Sequence, residues 1–234
     1  MFKGKKILAV IPARGGSKRL KNKNILELKE KPLIAWSIDE ANQSKYIDKV
    51  LVSTDSDAIF EVAQKYGAYL PFKRPSHLAK DDTKSIDIVT HAINSLSEVG
   101  EEFDEVIILQ PTSPLRDVED IDGAIEHFYK KDAVSVVSVC EVEHSPLWSN
   151  TLDENLSMIG FLDEQYNNSR SQDLPMYYRL NGAFYMSSVE SVMKNNTFFV
   201  DEKFYAYLMS QEHSVDIDTK LDFIIAQAIM EEGK

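Results

Sequence analysis

Ile7-Leu8-Ala9-Val10-Ile11-Pro12-Ala13-Arg14-Gly15-Gly16-Ser17-Lys18-Arg19-Leu20-Lys21-Asn22-Lys23-Asn24 is the stretch that decides the fold. Its opening half, Ile7 to Ile11, is an unbroken apolar run. Such a run reads as a strand covered on both faces, the kind found in parallel sheets. The second half is a glycine-bearing basic loop. Gly15 and Gly16 allow a tight turn and offer unhindered N–H groups to an anion. Arg14, Lys18 and Lys23 are placed to meet phosphate charge, Arg14 through a planar fork. The spacing matches neither the P-loop nor the Gly-x-Gly-x-x-Gly dinucleotide fingerprint, so this is a phosphate loop of another design. The alternative is a Gly-Gly turn beside a basic surface.

Working outward, the same alternation repeats. Pro32 stands where a first helical turn tolerates proline, ahead of a stripe of Leu33, Ile34, Trp36, Ile38 and Ala41. Lys49 to Ser53 reads as a strand, followed by a helix through Ile59, Val62 and Ala63. Ile86, Val89, Ile93 and Leu96 mark another helix, and Val106 to Leu109 a strand. Ile121, Ala124, Ile125 and Phe128 mark the next helix, and Ala133 to Val139 the next strand. Residues 141 to about 180 break the pattern with a polar, aperiodic stretch, which inside a compact domain signals function, an arm or mobility. Ala183 to Met186 resumes as a strand, and a closing helix runs through Leu221, Ile224, Ile225 and Ala228. The expected fold is α/β: one domain over residues 1–234, with a mostly parallel central sheet and helices on both faces. In such sheets ligands bind beyond the carboxyl ends of the strands.

Composition narrows the function classes. The 234 residues are 43% hydrophobic, enough to bury a core without disulfides or metals. The formal net charge of −12 disfavours nucleic acid as a partner. Against it, Lys3, Lys5, Lys6, Arg14, Lys18, Arg19, Lys21, Lys23, Lys29 and Lys31 face only Glu27 and Glu30 in the first 31 residues, which suggests a local anion site. The single cysteine, Cys140, and the absence of a secretory pattern point to a reducing cytoplasm. No apolar stretch is long enough for a membrane span.

Two further segments have the residue types for chemistry. Asp216-Ile217-Asp218 carries carboxylates at i, i+2, which point the same way in an extended chain and suit Mg²⁺ held against a phosphate. The bland alternative is that Asp218 caps the last helix. Leu109-Gln110-Pro111-Thr112-Ser113-Pro114-Leu115-Arg116 ends a strand in a proline-stiffened loop, with Gln110 able to donate to and accept from a polyol. Asp55 or Asp57 reads as a helix N-cap, and Lys80 to Ser85 as either a phosphate or base contact or a capped loop. His77, His91, His127, His144 and His213 show no metal-ligand spacing, and Cys140 reads as a structural thiol.

Taken in order, these motifs resemble the N-acylneuraminate cytidylyltransferase family, also called CMP-sialic acid synthetases. The resemblance spans nearly the whole chain and includes Ser53-Thr54-Asp55, Arg74-Pro75 and Arg179-x-Asn181-Gly182-Ala183 beside the segments above. It implies a Rossmann-like nucleotidyltransferase that moves CMP from CTP to the anomeric hydroxyl of a nine-carbon acidic sugar. It implies that Arg14, Gly15, Ser17, Lys18 and Lys23 line the CTP phosphates, with Arg14 or Lys23 at the α-phosphate. Asn24, Arg74 and Ser85 would hold the cytidine. Gln110, Arg170, Arg179 and Asn181 would lie on the sugar side, and Asp216 and Asp218 would bind Mg²⁺. Arg14, Lys23, Asp216 and Asp218 form the implied catalytic set. Either Asp216 or a metal-bound hydroxide it orients would take the proton. The family also implies a homodimer in which residues 141–180 form an arm covering the partner's sugar pocket. Trp148 is a departure: after Glu143-His144-Ser145-Pro146-Leu147 it offers an apolar or stacking wall where sialic-acid-specific bacterial relatives often carry a basic residue. The expected acceptor is N-acetylneuraminic acid or a related nonulosonic acid; the alternative is legionaminic, pseudaminic or another deoxy nonulosonic acid, which would suit a less polar pocket. The competing readings are a cytidylyltransferase for the eight-carbon acid Kdo, a non-catalytic nucleotide-sugar sensor on the same fold, and a nucleic-acid-binding domain.

Overall fold

The computed structural model describes residues 1–233. Its strands are β1 (Ile7–Pro12), β2 (Glu27–Leu28), β3 (Lys31–Pro32), β4 (Lys49–Ser53), β5 (Glu105–Leu109), β6 (Ser135–Glu141), β7 (Tyr178–Ser188) and β8 (Phe204–Leu208). Its helices are α1 (Leu33–Gln43), α2 (Asp57–Lys65), α3 (Ser85–Ser97), α4 (Val118–Lys130), α5 (Val189–Asn195) and α6 (Lys220–Gly233).

A six-stranded sheet runs in the order β4-β1-β5-β7-β6-β8. β1 pairs parallel with β4 and β5, and β6 pairs parallel with β8. β7 runs antiparallel to both its neighbours, β5 and β6. The strand alternation of period two explains the unbroken apolar run. Ile7, Ala9 and Ile11 face a layer made by α1, α2 and α4, where Ile34, Ile38, Ile59, Ile121 and Phe128 are buried. Leu8 and Val10 face the opposite layer, made by α3 and α5, with Val89, Leu96 and Val192. Every residue of Ile7 to Ile11 is therefore at zero exposure. A third cluster packs α6 through Ala226 and Met230 onto Leu28, Leu33, Leu115 and Ile217. This contact holds the 215–219 segment against the loop that follows β5.

The α/β expectation with helices on both faces matches this architecture. The differences are local. β7 begins at Tyr178 rather than near Ala183, and α5, β8 and the β2–β3 hairpin have no counterpart in the sequence reading. The N-cap of α2 is Ser56, whose Oγ accepts from the Ile59 N–H, and not Asp55 or Asp57. Asp55 accepts instead from the Gly15 N–H at 3.0 Å. Residues 142–177 form no helix or strand beyond short 3₁₀ turns such as Pro146–Trp148, Glu164–Tyr166 and Ser171–Asp173. They leave Leu152, Leu156, Met158 and Met176 exposed, and Ile159 is 96% exposed. No described helix is long and apolar enough to cross a membrane.

Candidate active site

The carboxyl ends of β1 and β5 open onto one pocket of about 490 Å³. The loop after β1 supplies Arg14, Ser17, Lys18, Lys23 and Asn24 to its wall. Arg74 and Asp81 come from the segment between α2 and α3, Ser85 from the first residue of α3, and Gln110 and Thr112 from the loop after β5. Asp218 reaches it from the segment before α6. Leu78 and Ile88 add an apolar patch.

The cations are arranged around carboxylates. Arg14 Nη1 lies 2.6 Å from Asp81 Oδ1, and Lys18 pairs with the other oxygen of Asp81. These partners hold the Asp81 carboxyl below its usual range, Lys18 first and Arg14 next. Lys23 donates to the Ile217 carbonyl at 2.8 Å and to Asp218 Oδ1 at 2.9 Å. Arg19 binds the second oxygen of Asp218 at 2.9 Å. Arg74 is nearly fully buried and donates to the Ser53 hydroxyl and carbonyl. Burial pushes its guanidinium down to about 10, opposed by Asp55. Asn24, 5% exposed, donates to the Arg14 carbonyl at 3.0 Å and so fixes the basic loop.

Asp216 lies just behind this wall. One of its oxygens, Oδ1, is buried with no hydrogen-bond partner. Burial raises its pKa, the Asp218 charge adds to the effect, and the Thr112 hydroxyl opposes it. Thr112 also donates to Gln110 Oε1 at 3.3 Å, while its carbonyl accepts from the Ile217 N–H at 2.8 Å. Thr112 thus ties the Gln110 loop to the Asp216–Asp218 segment. The cap reading of Asp218 does not hold: Thr219 directly precedes α6, its Oγ1 accepts from the Asp222 N–H at 3.4 Å, and Asp222 in return accepts the Thr219 N–H at 2.6 Å.

Not every expected residue meets the pocket. The Gly15 N–H is taken by Asp55, and a Cβ at Gly15 would sit 2.9 Å from Ser56 Cβ. Gly15 therefore serves close packing of loop against loop, and its N–H is not free for an anion. Asn181 is 2% exposed and satisfied on all sides. It donates to Ser214 Oγ at 2.8 Å and to Met209 Sδ, and accepts from Ser138 Oγ and the Ala183 N–H. It fastens β6 and β7 to the turn leading to Asp216 and presents no free group to a sugar. Arg179 makes two bonds to Glu143, at 2.6 and 3.2 Å. Arg170 is paired with Asp173 inside the irregular segment. Neither arginine lines the pocket within one chain.

Sequence reasoning gave no role to Arg19 or Thr112, and left Asp81 inside a polar run. A carboxylate between cations was the available signal at Asp81, but its partner lies far off in the chain. His213, without metal-ligand spacing in sequence, sits with Nδ1 2.7 Å from Asp120 and 3.6 Å from Asp117. Their ligand atoms lie within 4.8 Å of one another, a composition able to hold a metal ion. Asp117 and Asp120 also close the capping box of α4.

Comparison with known proteins agrees with this geometry. Residues 8–228 match the cytidylyltransferase family model. The chain is 38% identical over 232 residues to a CMP-N,N'-diacetyllegionaminic acid synthase of Legionella pneumophila, covering 97% of each chain. It is 35% identical to a pseudaminic acid cytidylyltransferase of Campylobacter jejuni, covering 96% of each. An N-acylneuraminate cytidylyltransferase of Escherichia coli is also 35% identical, matched over 97% of this chain and 52% of that protein. Among solved structures, a CMP:2-keto-3-deoxy-manno-octonic acid synthetase complexed with CTP shares the fold, with a TM-score of 0.71 at 17% identity over 98% of this chain and 100% of that one. The chain belongs to the cytidylyltransferase family.

Proposed function

We propose that this enzyme transfers CMP from CTP to the anomeric hydroxyl of a nonulosonic acid, releasing pyrophosphate and forming the CMP-sugar. The observation that carries the reading is the convergence of the basic loop, Gln110 and Asp218 on one pocket at the carboxyl edge of the sheet. Its relatives' names point to N-acylated nine-carbon acids. Trp148, half-buried at the root of the irregular segment, supports a deoxy acid of the legionaminic or pseudaminic kind over a more polar sugar.

The residues divide the work as follows. Arg14, Ser17, Lys18 and Lys23 meet the triphosphate, which takes over the cations that Asp81 and Asp218 now occupy. Asn24, Arg74 and Ser85 frame the cytidine against Leu78 and Ile88. Gln110 orients the sugar. The anomeric hydroxyl attacks the α-phosphorus in line, its proton passing to Asp216 or through it to solvent, as the bond from that phosphorus to the bridging oxygen breaks and pyrophosphate leaves. Positioning and charge neutralisation by Arg14 and Lys23 supply most of the acceleration. Asp216 and Asp218 fit Mg²⁺: Asp216 Oδ1 is a buried hard acceptor with no partner, two residues from a second carboxylate. When bound there, the ion neutralises phosphate charge as a Lewis acid.

The sugar side is incomplete within one chain. A homodimer in which the irregular segment of one copy reaches the other copy's pocket would bring Arg170 to the sugar carboxylate, while Arg179 stays at the rim of its own sheet, on β7. The exposed Leu156, Met158 and Ile159 support such a covering role. The test is pyrophosphate release with CTP and Mg²⁺, offering N-acetylneuraminate, legionaminate, pseudaminate and Kdo in parallel. Turnover of a nine-carbon acid is expected, with a loss of about 100-fold or more in Asp218→Ala. Turnover of Kdo alone would move the protein to the eight-carbon class. CTP binding without turnover of any acid would point to a sensor.

A further inference from the structure

Arg116 is the largest fully buried side chain after which the core can be ranked, at 1% exposure. A guanidinium is costly to bury. Burial lowers its pKa to about 10, with Asp120, Glu40 and Asp117 offsetting the penalty. Its Nε has no hydrogen-bond partner. A charge held this way in a core calls for a reason beyond packing.

The reason lies in where its nitrogens point. The β5–β7 ladder ends at the pair Leu109↔Phe184. One residue further on, the next facing pair would be Gln110 and Ala183, and the strands part there. Arg116 Nη1 donates to both of those carbonyls, to Ala183 at 2.7 Å and to Gln110 at 3.5 Å. Nη2 donates to Ser37 Oγ at 2.8 Å, and Ser37 Oγ itself donates to the Gln110 carbonyl at 3.2 Å. The guanidinium thus replaces the sheet hydrogen bonds at the point where β5 leaves the sheet for the pocket. Gly182, with φ +76°, lets the neighbouring backbone approach: a Cβ there would lie 3.4 Å from Gln110 Oε1. Gln110 is therefore held from below by Arg116 and Ser37 and from the side by Gly182.

We propose that Arg116, acting with Ser37, is a positioning residue that sets the placement of Gln110 toward the acceptor sugar, and so governs use of the acid and not of CTP. This rests on the reading of Gln110 as the sugar-orienting residue. Arg116→Lys tests it, because an ammonium lacks the planar fork needed to serve two carbonyls and a hydroxyl at once. The variant is expected to keep the Kd for CTP within about twofold while KM for the acid rises, or kcat falls, by about 10- to 100-fold. Ser37→Ala removes one of the two side-chain donors to the Gln110 carbonyl without touching the charge, and is expected to show the same split at a smaller size of about two- to fivefold. It stands in as the deciding variant if Arg116→Lys does not fold.

Unchanged kinetics for both substrates in a folded variant would overturn the proposal. So would parallel losses of CTP binding and acid use that track a fall in Tm, since that pattern marks a merely structural residue. The Gln110 side-chain amide resonance gives a readout independent of turnover. It should shift in both variants even if the wild type accepts none of the acids, a result that would fell the proposed function alone. An unmoved resonance would refute the positioning role by itself.

Discussion

Lys23 and Glu105 show how burial sets the behaviour of single charged groups at opposite ends of one sheet. The Lys23 side chain is 14% exposed and spans the gap between the basic loop and Asp218. Its partner is a carboxylate proposed to hold metal, so nucleotide and metal entering together exchange one set of ion pairs for another. Glu105 lies at the start of β5, at the edge remote from the pocket, and is 6% exposed. Its Oε2 is unpartnered, and Tyr129 donates to Oε1 at 3.4 Å. Burial pushes its carboxyl up from 4.5 to about 7, partly opposed by Lys5. The sign follows from linkage: a raised carboxyl favours the protonated folded state, so stability is lost as pH climbs from about 4.5 through about 7. Glu105→Gln should remove that loss. Thermal melts are expected to show the variant close to wild type at pH 5 and more stable at pH 8, by roughly 2–3 kcal/mol. Equal melting curves at pH 8 would contradict the assignment.

Among the elements, those covered on both faces were readable and those at the margin were not. β1, β4 and β5 are short, continuous apolar runs because two helix layers bury them, and sequence reveals such runs directly. β8 is an edge strand of alternating half-exposed residues, Phe204-Tyr205-Ala206-Tyr207-Leu208, without the apolar block that marks a central strand. α5 is too short to show a period. The basic loop announced itself by charge density, whereas the saturation of Asn181 and the pairing of Arg179 with Glu143 depend on residues distant in the chain. Tertiary contact also reverses a simple propensity argument at Gly123 of α4. Alanine in mid-helix usually gains about 1 kcal/mol over glycine. Here a Cβ would fall 2.3 Å from Tyr207 Oη and 3.2 Å from its Cζ, a rigid ring that must swing away. Gly123→Ala is expected to lose about 1–3 kcal/mol through overpacking, and Tyr207→Leu in the same chain should recover much of it. Denaturant melts of the double-mutant cycle give the coupling directly, and additive losses would show that the two residues do not meet.

At the scale of the whole molecule, the irregular segment is the part without a core of its own. If its apolar residues are covered by a second copy, light scattering should give about twice the 26.6 kDa chain mass. Replacing residues 147–174 with a short turn should then yield a monomer that still binds CTP but no longer turns over the acid. A monomeric wild type with full turnover would remove the arm from the reaction. Because β7 runs against β6, the segment leaves and re-enters the sheet at the same rim, closed by the pair Glu141↔Tyr178. Had β7 been parallel, the connection would have had to cross the molecule. As built, lengthening, shortening or rewriting this loop leaves the register of the sheet untouched and alters only what hangs over the rim where chemistry occurs. Under the proposed covering role, the topology separates two evolutionary problems: the basic loop and Gln110 stay under the constraint of the core, while the part of acceptor choice made by the arm can drift without disturbing the sheet.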